Sequence, residues 1–236
     1  MHDYQIPPKL LANRYIGITG PTEGIGRQLA FSVREADGIP VLLGRSAAKL
    51  EALAQELSQA YGLEVIYELI DFSLATPEIC QQLAERLMHR IPRLDGLLHN
   101  AGVLGELILL EDTSEQQWDL LMQVNLKSQF LLTQALLPLM RKANSASLIF
   151  TSSGVGQQGR ALWGTYAISK FATEGMMQTW AEELASESIR VNCINPGATR
   201  TGMRASAKPD EDPQTLRTPL DIMPTYLYLL GLIVSG

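Results

Sequence analysis

The 236-residue sequence has few cysteines, few aromatic residues and no long apolar run. Its two cysteines, Cys80 and Cys193, lie within apolar patterns, so we expect reduced core residues rather than a disulfide framework. The longest apolar candidate, residues 226–234, is about half as long as the ~18 residues that a helical bilayer span needs. The N-terminus is polar and lacks the apolar core of a secretion signal. These absences argue against a membrane partner and predict a cytoplasmic location.

An excess of positive charge is also lacking. The chain has 19 Lys and Arg against 25 Asp and Glu, a formal net charge of -6. Because nucleic-acid binding needs a basic face, nucleic acid is not an expected partner. No group of His, Cys and Asp residues has the spacing of metal ligands, so we expect no metal. Apolar residues, by contrast, are plentiful at 46%, enough to bury a sizeable core.

Short apolar runs alternate with helical patterns along the chain. The runs predict strands at residues 15–19, 40–43, 63–70, 94–99, 147–151 and 189–194. The helical patterns cover residues 26–35, 47–60, 77–90, 114–140 and 165–186. Proline removes a helical hydrogen bond, so we expect Pro138 to end or bend the fourth of these helices.

The predicted strands are continuously apolar rather than alternating. Such strands are buried on both faces, which is typical of a parallel sheet covered by helices on each side. No linker interrupts the pattern, so residues 1–236 are predicted to form a single α/β domain, a Rossmann-type doubly wound sheet. Ligands of such folds bind beyond the carboxyl ends of the strands, which makes the residues after each strand the candidates for function.

A glycine-rich turn follows the first strand. It contains six candidate cofactor residues: Gly20, Thr22, Glu23, Gly24, Ile25 and Gly26. Backbone N–H groups in such a turn, together with the helix N-terminus, can hold a pyrophosphate. A tight strand-to-helix connection would account for the glycines equally well. No Gly-Lys-Ser/Thr follows, so the turn is not a P-loop.

Two further candidates follow the second and third strands. Arg45 suits the 2′-phosphate of NADP, where an acidic residue would suit the ribose hydroxyl of NAD. This favours NADP over NAD, although Glu23 would lie awkwardly near a second phosphate and a solvated surface arginine is the alternative. Asp71 is placed to accept a hydrogen bond from an adenine amino group or to cap the following helix.

The ends of the fourth and fifth strands carry small and polar residues. Asn100, Ala101 and Gly102 allow close approach of a cofactor, and the preceding His99 is expected to pack as a neutral residue. Ser153 follows the fifth strand. Tyr166 and Lys170 are four residues apart in the next helix and therefore project from one face, as a catalytic pair or as an exposed hydrophobic-cationic pair.

Together these motifs resemble the short-chain dehydrogenase/reductase family from about Arg14 to Tyr228. The residues that carry the resemblance are Thr19-Gly20-x-x-x-Gly24-x-Gly26, Asn100-Ala101-Gly102, Asn125, Ser153, Tyr166-x-x-x-Lys170 and Pro196-Gly197 with Thr201. The resemblance implies an oxidoreductase that transfers a hydride between NADP(H) and a small carbonyl or alcohol substrate. It further implies a homodimer or homotetramer, since family members commonly pair two long helices across a two-fold axis.

The resemblance also implies a role for each catalytic residue. Tyr166 would act as general acid or base, with its pKa lowered by Lys170 and by the oxidised nicotinamide. Ser153 would hold the substrate oxygen, and Asn125 a water that relays protons towards Lys170. Lys170 would also bind the nicotinamide ribose. The cofactor's carboxamide and phosphate end would be anchored by Pro196, Gly197, Thr199 and Thr201.

Three expectations concern the C-terminal part. Residues 202–218 are predicted to form a mobile rim of the substrate pocket. The apolar tail is expected to be a core helix or, in an assembly subunit, a partner surface. Family members usually add a seventh strand, which is either Leu232 to Ser235 in shortened form or missing from this sequence.

The alternative function is a non-catalytic nucleotide-sensing or assembly protein on the same fold.

Overall fold

Six parallel strands form one sheet in the computed structural model, which describes residues 4–62 and 64–231. The strands are β1 (Tyr15–Thr19), β2 (Ile39–Gly44), β3 (Ile66–Leu69), β4 (Gly96–His99), β5 (Ala146–Thr151) and β6 (Ile189–Ile194). Their spatial order is β3-β2-β1-β4-β5-β6, and every neighbouring pair is parallel. The order reverses between β1 and β4, which opens a crevice at the carboxyl ends of these strands.

Helices cover both faces of the sheet, as predicted for a doubly wound α/β fold. They are α1 (Gly24–Glu35), α2 (Ala47–Tyr61), α3 (Pro77–Met88), α4 (Glu115–Met122), α5 (Ser128–Met140), α6 (Gly164–Glu183), α7 (Gly202–Ala207) and α8 (Met223–Leu230). Side chains of α1, α2 and α8 form the core on one face, and those of α3, α5 and α6 form it on the other.

The central strands bury side chains in both cores. Leu97 and Phe150 pack on the α3 and α5 side, whereas Leu98 and Ile149 pack on the α1 and α8 side. Because successive strand residues point to opposite faces, a strand buried on both faces must be apolar throughout. This is the physical reason why the strands appear as continuous apolar runs.

The helix predicted for residues 114–140 differs from the observed structure. A π turn, Gln123–Lys127, separates α4 from α5. Pro138 does not end α5, which continues to Met140. Leu139 and Met140 are fully buried, so their packing offsets the hydrogen bond that the proline removes.

The C-terminal part contains short helical elements despite its polar composition. Residues 202–218 contain α7 and a 3₁₀ turn (Pro213–Thr215), and Arg204 pairs with Glu211 at 2.6 Å. Tyr226 and Leu230 of α8 are fully buried under the sheet, which confirms a core helix rather than a partner surface.

The predicted seventh strand, Leu232 to Ser235, lies outside the described residues, as does Leu63, the first residue of the predicted third strand. No helix in the described part of the chain is long and apolar enough to cross a membrane.

Candidate active site

The glycine turn between β1 and α1 has two positions, Gly20 and Gly26, at which a side chain would not fit. Gly20 has a φ of +63°, and a Cβ at Gly26 would overlap the carbonyl oxygen of Gly20. Because the helix begins directly against the end of β1, its first N–H groups face the crevice at the carboxyl edge of the sheet. The turn therefore forms a cradle for an anion, with Thr22 partly exposed and Glu23 exposed beside it.

Thr19, at the end of β1, fastens the glycine turn to the loop after β4. Its hydroxyl oxygen accepts hydrogen bonds from the backbone N–H groups of Asn100 and Ala101, both at 2.9 Å. The Asn100 amide donates to the carbonyl oxygens of Thr19 and Gly20 at 3.3 and 3.2 Å. The sequence motif contained Thr19, but its structural role was missed. The available signal was a hydroxyl at the end of an apolar strand.

Arg45 and Asp71 lie near each other after β2 and β3. Asp71 Oδ1 accepts from the backbone N and the hydroxyl of Ser73 at 2.9 and 2.7 Å, which caps a 3₁₀ turn, Phe72–Leu74. These bonds to Ser73, more than the nearby Arg45 charge, lower the pKa of Asp71. The capping alternative for Asp71 is thus observed, while Arg45 is exposed at the start of α2.

Tyr166 and Lys170 lie on one buried face of α6. Lys170 is 4% exposed, and its Nζ donates to the carbonyl oxygen of Thr151 at 2.7 Å. The same Nζ lies 5.6 Å from the centroid of the Tyr166 ring. The pair is therefore not the exposed hydrophobic-cationic pair that the spacing also allowed. Ser153 lies two residues after the end of β5. Its side chain is close enough to Tyr166 to lower the pKa of the phenol by hydrogen bonding.

Asn125 lies in the π turn and is fully buried. Its Oδ1 accepts from Val103 N at 2.8 Å, and its Nδ2 donates to Val103 O at 2.9 Å and to Ser169 Oγ at 3.1 Å. Its backbone carbonyl accepts from Thr173 Oγ1 at 3.2 Å. The side chain thus joins the loop after β4 to α6, and the Asn125 backbone carbonyl is bonded to α6 as well. Ser169 and Thr173 were missed, although polar residues flanking Lys170 were the signal.

Gly102 lies between Asn125 and Lys170. A Cβ at position 102 would lie 3.2 Å from Asn125 Oδ1 and 3.9 Å from Lys170 Nζ. Any side chain larger than a methyl group would fill the space beside the ammonium. The structure therefore brings together Gly102, Asn125, Tyr166 and Lys170, four residues that the sequence singled out from three separate segments.

Burial shifts the pKa of each titratable group at this site. It lowers the pKa of Lys170 to about 8, and it raises the pKa of Tyr166, which Ser153 only partly offsets. The expected lowering of the Tyr166 pKa by Lys170 and the oxidised nicotinamide stays a prediction, because the cofactor is part of it; in the protein alone, loss of solvation raises this pKa. Tyr166 is consequently a protonated phenol at neutral pH.

His99 is the packed neutral residue that was expected. Its Nε2 lies 2.8 Å from Thr133 Oγ1, and its ring stacks on Phe150 with centroids 4.8 Å apart. Complete burial lowers the pKa of His99 to about 3. It is uncharged throughout the physiological range and supports the end of β4 from below.

The segment after β6 lies against the glycine turn. Thr201 Cγ2 would lie 3.3 Å from a Cβ at Gly24, and the Thr201 hydroxyl caps α7 by accepting from Arg204 N at 3.2 Å. Thr199 is buried, with its hydroxyl donating to Pro196 O at 3.1 Å. Gly197 N donates to Asn195 Oδ1 at 3.0 Å. The candidate residues of this segment are therefore close to those of the first turn.

A cleft of about 600 Å³ lies beside this contact, between the start of α1 and residues 200–219. Gly24 and Thr201 border it, but Ser153, Tyr166 and Lys170 do not. Its basic lining residues are Arg27, Arg200, Arg204 and Lys208. Arg27 pairs with Glu56 at 2.6 Å, and Arg204 with Glu211, so much of this charge is already compensated.

Residues 14–212 match the family described as short chain dehydrogenase. The chain belongs to this family. It is 52% identical over 231 residues to "Uncharacterized oxidoreductase YciK" of Escherichia coli K12, covering 98% of this chain and 91% of that protein. It is 34% identical over 187 residues to the 3-oxoacyl-[acyl-carrier-protein] reductase FabG of Thermotoga maritima, covering 79% of this chain and 74% of that protein.

Solved structures of relatives agree closely with the fold. A short chain dehydrogenase from Shigella flexneri complexed with NADP has a TM-score of 0.94 at 51% identity, covering 96% of this chain and 94% of that one. One from Escherichia coli CFT073 complexed with NADPH has a TM-score of 0.94 at 52% identity, with the same coverage.

Proposed function

We propose that this chain is an NADP-dependent carbonyl reductase in which Tyr166 is the general acid. The observation that carries the proposal is the buried, protonated Tyr166 between Ser153 and Lys170, at the same edge of the sheet as the glycine cradle. A phenol whose pKa is raised keeps its proton at neutral pH, which suits donation to a carbonyl oxygen.

The cofactor proposed for this chain is NADP(H). Relatives about half identical to it were crystallised with NADP and NADPH. The glycine turn, with no room for a side chain at Gly26, would hold the pyrophosphate, and the exposed Arg45 the 2′-phosphate. Asn100, Ala101, Thr199 and Thr201 would line the path between them and the site. When bound, NADPH supplies the hydride.

The chain's own residues would then divide the remaining work. Ser153 would donate a hydrogen bond to the carbonyl oxygen, and Tyr166 would transfer its proton to that oxygen as negative charge develops. Lys170 would stabilise the resulting phenolate through its buried charge, since its Nζ lies 5.6 Å from the centroid of the Tyr166 ring. Asn125 would hold the loop after β4 against α6, and its carbonyl would hold a water near Lys170.

A non-catalytic nucleotide-sensing or assembly protein is the second candidate. Such a protein has no use for a lysine that is buried beside a tyrosine with only a carbonyl oxygen as its hydrogen-bond partner, because burial of a charge is costly. The presence of Ser153, Tyr166 and Lys170 together therefore favours the enzyme.

The test is reduction of a panel of aldehydes and ketones, followed by NADPH absorbance. Tyr166→Phe should lower kcat/KM by ~10²–10⁴, the usual contribution of a positioned acid. It should leave the NADPH dissociation constant unchanged, because no proposed phosphate contact is altered. Tyr67→Phe, on β3 away from the site, is the matched control and should retain wild-type activity. Turnover by Tyr166→Phe above about a tenth of wild type would remove the proposal.

We also propose that the chain forms a homodimer or homotetramer. Each chain is proposed to be a single domain, in which residues 202–218 form a mobile rim of the substrate pocket. Apolar rings lie exposed on the helices beyond the core: Trp118 is 38%, Phe130 41% and Phe171 46% exposed. Phe130 stacks on Trp180 of α6 with centroids 6.4 Å apart, which makes the patch continuous across α5 and α6. Light scattering at micromolar concentration measures the assembly, and a monomer would contradict it.

A further inference from the structure

The turn that leads into α6 is strained at Leu162. Trp163 N donates to Arg160 O at 3.2 Å, which closes a four-residue turn with Leu162 at its third position. Leu162 has a φ of +71°, a conformation that glycine and asparagine adopt readily and a bulky side chain does not. Its side chain is nevertheless 48% exposed, so burial of the side chain does not offset the energetic cost of this backbone conformation.

Leu162 differs from the other non-glycine residues with positive φ in the described part of the chain. These are Lys9, Asn13 and Asp37, all polar and none of them near the catalytic residues in sequence. Leu162 is the apolar one, and it precedes Tyr166 by four residues. Strained residues persist where the surrounding structure maintains them, and they concentrate at functional sites. The position and the side chain of Leu162 therefore both call for a functional reason.

Directly after Leu162 in the chain, Trp163 begins an apolar wall that includes Tyr166. Trp163, the next residue, packs against Tyr166 with ring centroids 5.9 Å apart. Val155 and Leu104 belong to the same cluster. Hydride and proton must both reach the carbonyl group at Tyr166. The remainder of a substrate that lies along this wall would meet hydrocarbon and aromatic surface.

Leu110, from the segment after β4, also reaches the start of α6. A Cβ at Gly164 would lie only 3.2 Å from Leu110 Cδ1, so the loop after β4 sits directly on the start of α6. Leu109 and Leu110 are 49% and 54% exposed. Three leucines from two segments thus lie exposed at or next to the rim of the site, where solvent alone would favour polar side chains.

We propose that Leu162 contacts the substrate, and that the substrate is a carbonyl compound carrying an aliphatic chain that passes over Leu162, Trp163 and Leu110. This assignment rests on the proposed carbonyl reductase function. The leucine is retained at an unfavourable φ because its side chain covers the substrate chain. Replacing it with asparagine, which tolerates this φ, should relieve the backbone while removing the apolar contact.

The first experiment measures kcat/KM for aldehydes from butanal to octanal with NADPH. Wild type should gain up to about fourfold for each added methylene, as expected when a methylene is buried. Leu162→Asn should leave butanal nearly unchanged and lower octanal about tenfold, equivalent to losing the burial of roughly two methylenes. Its melting temperature should be equal or higher. A chain-length profile identical to wild type, or an equal loss for every aldehyde, would overturn the proposal.

The matched control is Asp37→Gly, which relieves a φ of +63° at the opposite end of the sheet. It should match wild type across the aldehyde series. Leu162→Gly serves as a second variant and should behave like Leu162→Asn. If both variants lose their melting transition, strain relief is refuted and the proposal with it.

A binding experiment separates this inference from the proposed reaction. Primary carboxamides from butanamide to octanamide carry a carbonyl but resist reduction, and calorimetry measures their binding to the chain saturated with NADP. Affinity that rises with chain length in wild type and not in Leu162→Asn supports the apolar contact. If that holds while no aldehyde is reduced, the proposed reductase function fails and the contact stands. Length-independent binding in both proteins overturns the contact itself.

Discussion

The two ends of the sheet bury charged groups in opposite ways. At the amino end, Arg14 Nη2 donates to the carbonyl oxygens of Asp95 and Ser145, both at 3.0 Å. The Asp95 carboxylate accepts from Tyr15 N and from Arg93 Nε, both at 2.9 Å. At the carboxyl end, Lys170 has a carbonyl partner, and no carboxylate among the described residues pairs with it.

This difference shows which buried charge supports the fold and which is available for chemistry. The Asp95 carboxylate forms an ion pair with Arg93 at 2.9 Å, and its charge offsets part of the burial that lowers the pKa of Arg14. Lys170 forms no ion pair among the described residues, the charge of Glu174 offsets its burial only in part, and its pKa falls to about 8. A buried charge without a partner is costly to the fold and is typical of functional sites. The comparison therefore assigns stability to one end of the sheet and reactivity to the other.

The largest expected effects come from two substitutions, one at each end of the sheet: one should lower stability and the other should lower activity. Asp95→Ala leaves Tyr15 N and Arg93 Nε without their carboxylate partner and removes the negative charge nearest the buried Arg14. It should lower the free energy of unfolding by ~3–5 kcal/mol. Activity per folded molecule should stay within about twofold, since Asp95 does not reach the proposed reacting atoms. Lys170→Met should lower kcat/KM by ~10² or more without lowering stability. Urea denaturation and NADPH turnover measure both, and a less stable Lys170→Met would break the comparison.

The pH dependence of stability gives the next effect. The pKa of Lys170 is about 8 in the folded chain against an ordinary 10.5, so the unfolded chain binds more protons between these pH values. Stability contributed at this position therefore rises with pH across that window, and the cost of the buried charge is fully present below pH 8. The total is on the order of a few kcal/mol. Wild type should gain stability relative to Lys170→Met between pH 8 and 10.

A constant difference between these two proteins across the same range would show that the Lys170 ammonium carries no burial cost. The amino end supplies the control, because Arg14 stays protonated throughout. Arg14→Met should therefore show no change relative to wild type over this window.

The smallest effect concerns the exposed cation at the carboxyl edge. Arg45→Asp should weaken NADPH binding by about one to two decades, since a charge-assisted arginine–phosphate contact contributes ~1.5–3 kcal/mol. NADH should then bind at least as well as NADPH. Titration of both cofactors measures this. The control is Arg27→Asp, because the native Arg27 pairs with Glu56. Equal dissociation constants for NADPH and NADH in wild type would count against Arg45 as the selector.

Much of the fold follows from local pattern. The bounds of β1 and β6 agree with prediction at every residue, and the other strands overlap their predicted ranges. Continuous apolar runs predict buried parallel strands because both faces are covered. Residues after those strands then identify the candidate site, and Gly102, Asn125, Tyr166 and Lys170 do meet there.

The remaining features depend on tertiary contacts that no local pattern records. The environment of Asn125 and the raised pKa of Tyr166 follow from how the π turn and α6 pack together. The anchoring role of Thr19 needs β1 and β4 to be neighbours, although Thr19 and Asn100 are 81 positions apart in the chain. The left-handed turn at Leu162 contradicts its residue type, so propensity alone argues against it.

The most direct test of the central claim is a double-mutant cycle on Tyr166 and Lys170, with kcat/KM measured for one reducible carbonyl. If both residues act on one proton, Tyr166→Phe with Lys170→Met should be about as inactive as the weaker single variant. The NADPH dissociation constant should change with Lys170→Met and not with Tyr166→Phe. Fully additive losses, or a Tyr166→Phe variant with near wild-type kcat/KM, would contradict the assignment of Tyr166 as the acid at this site.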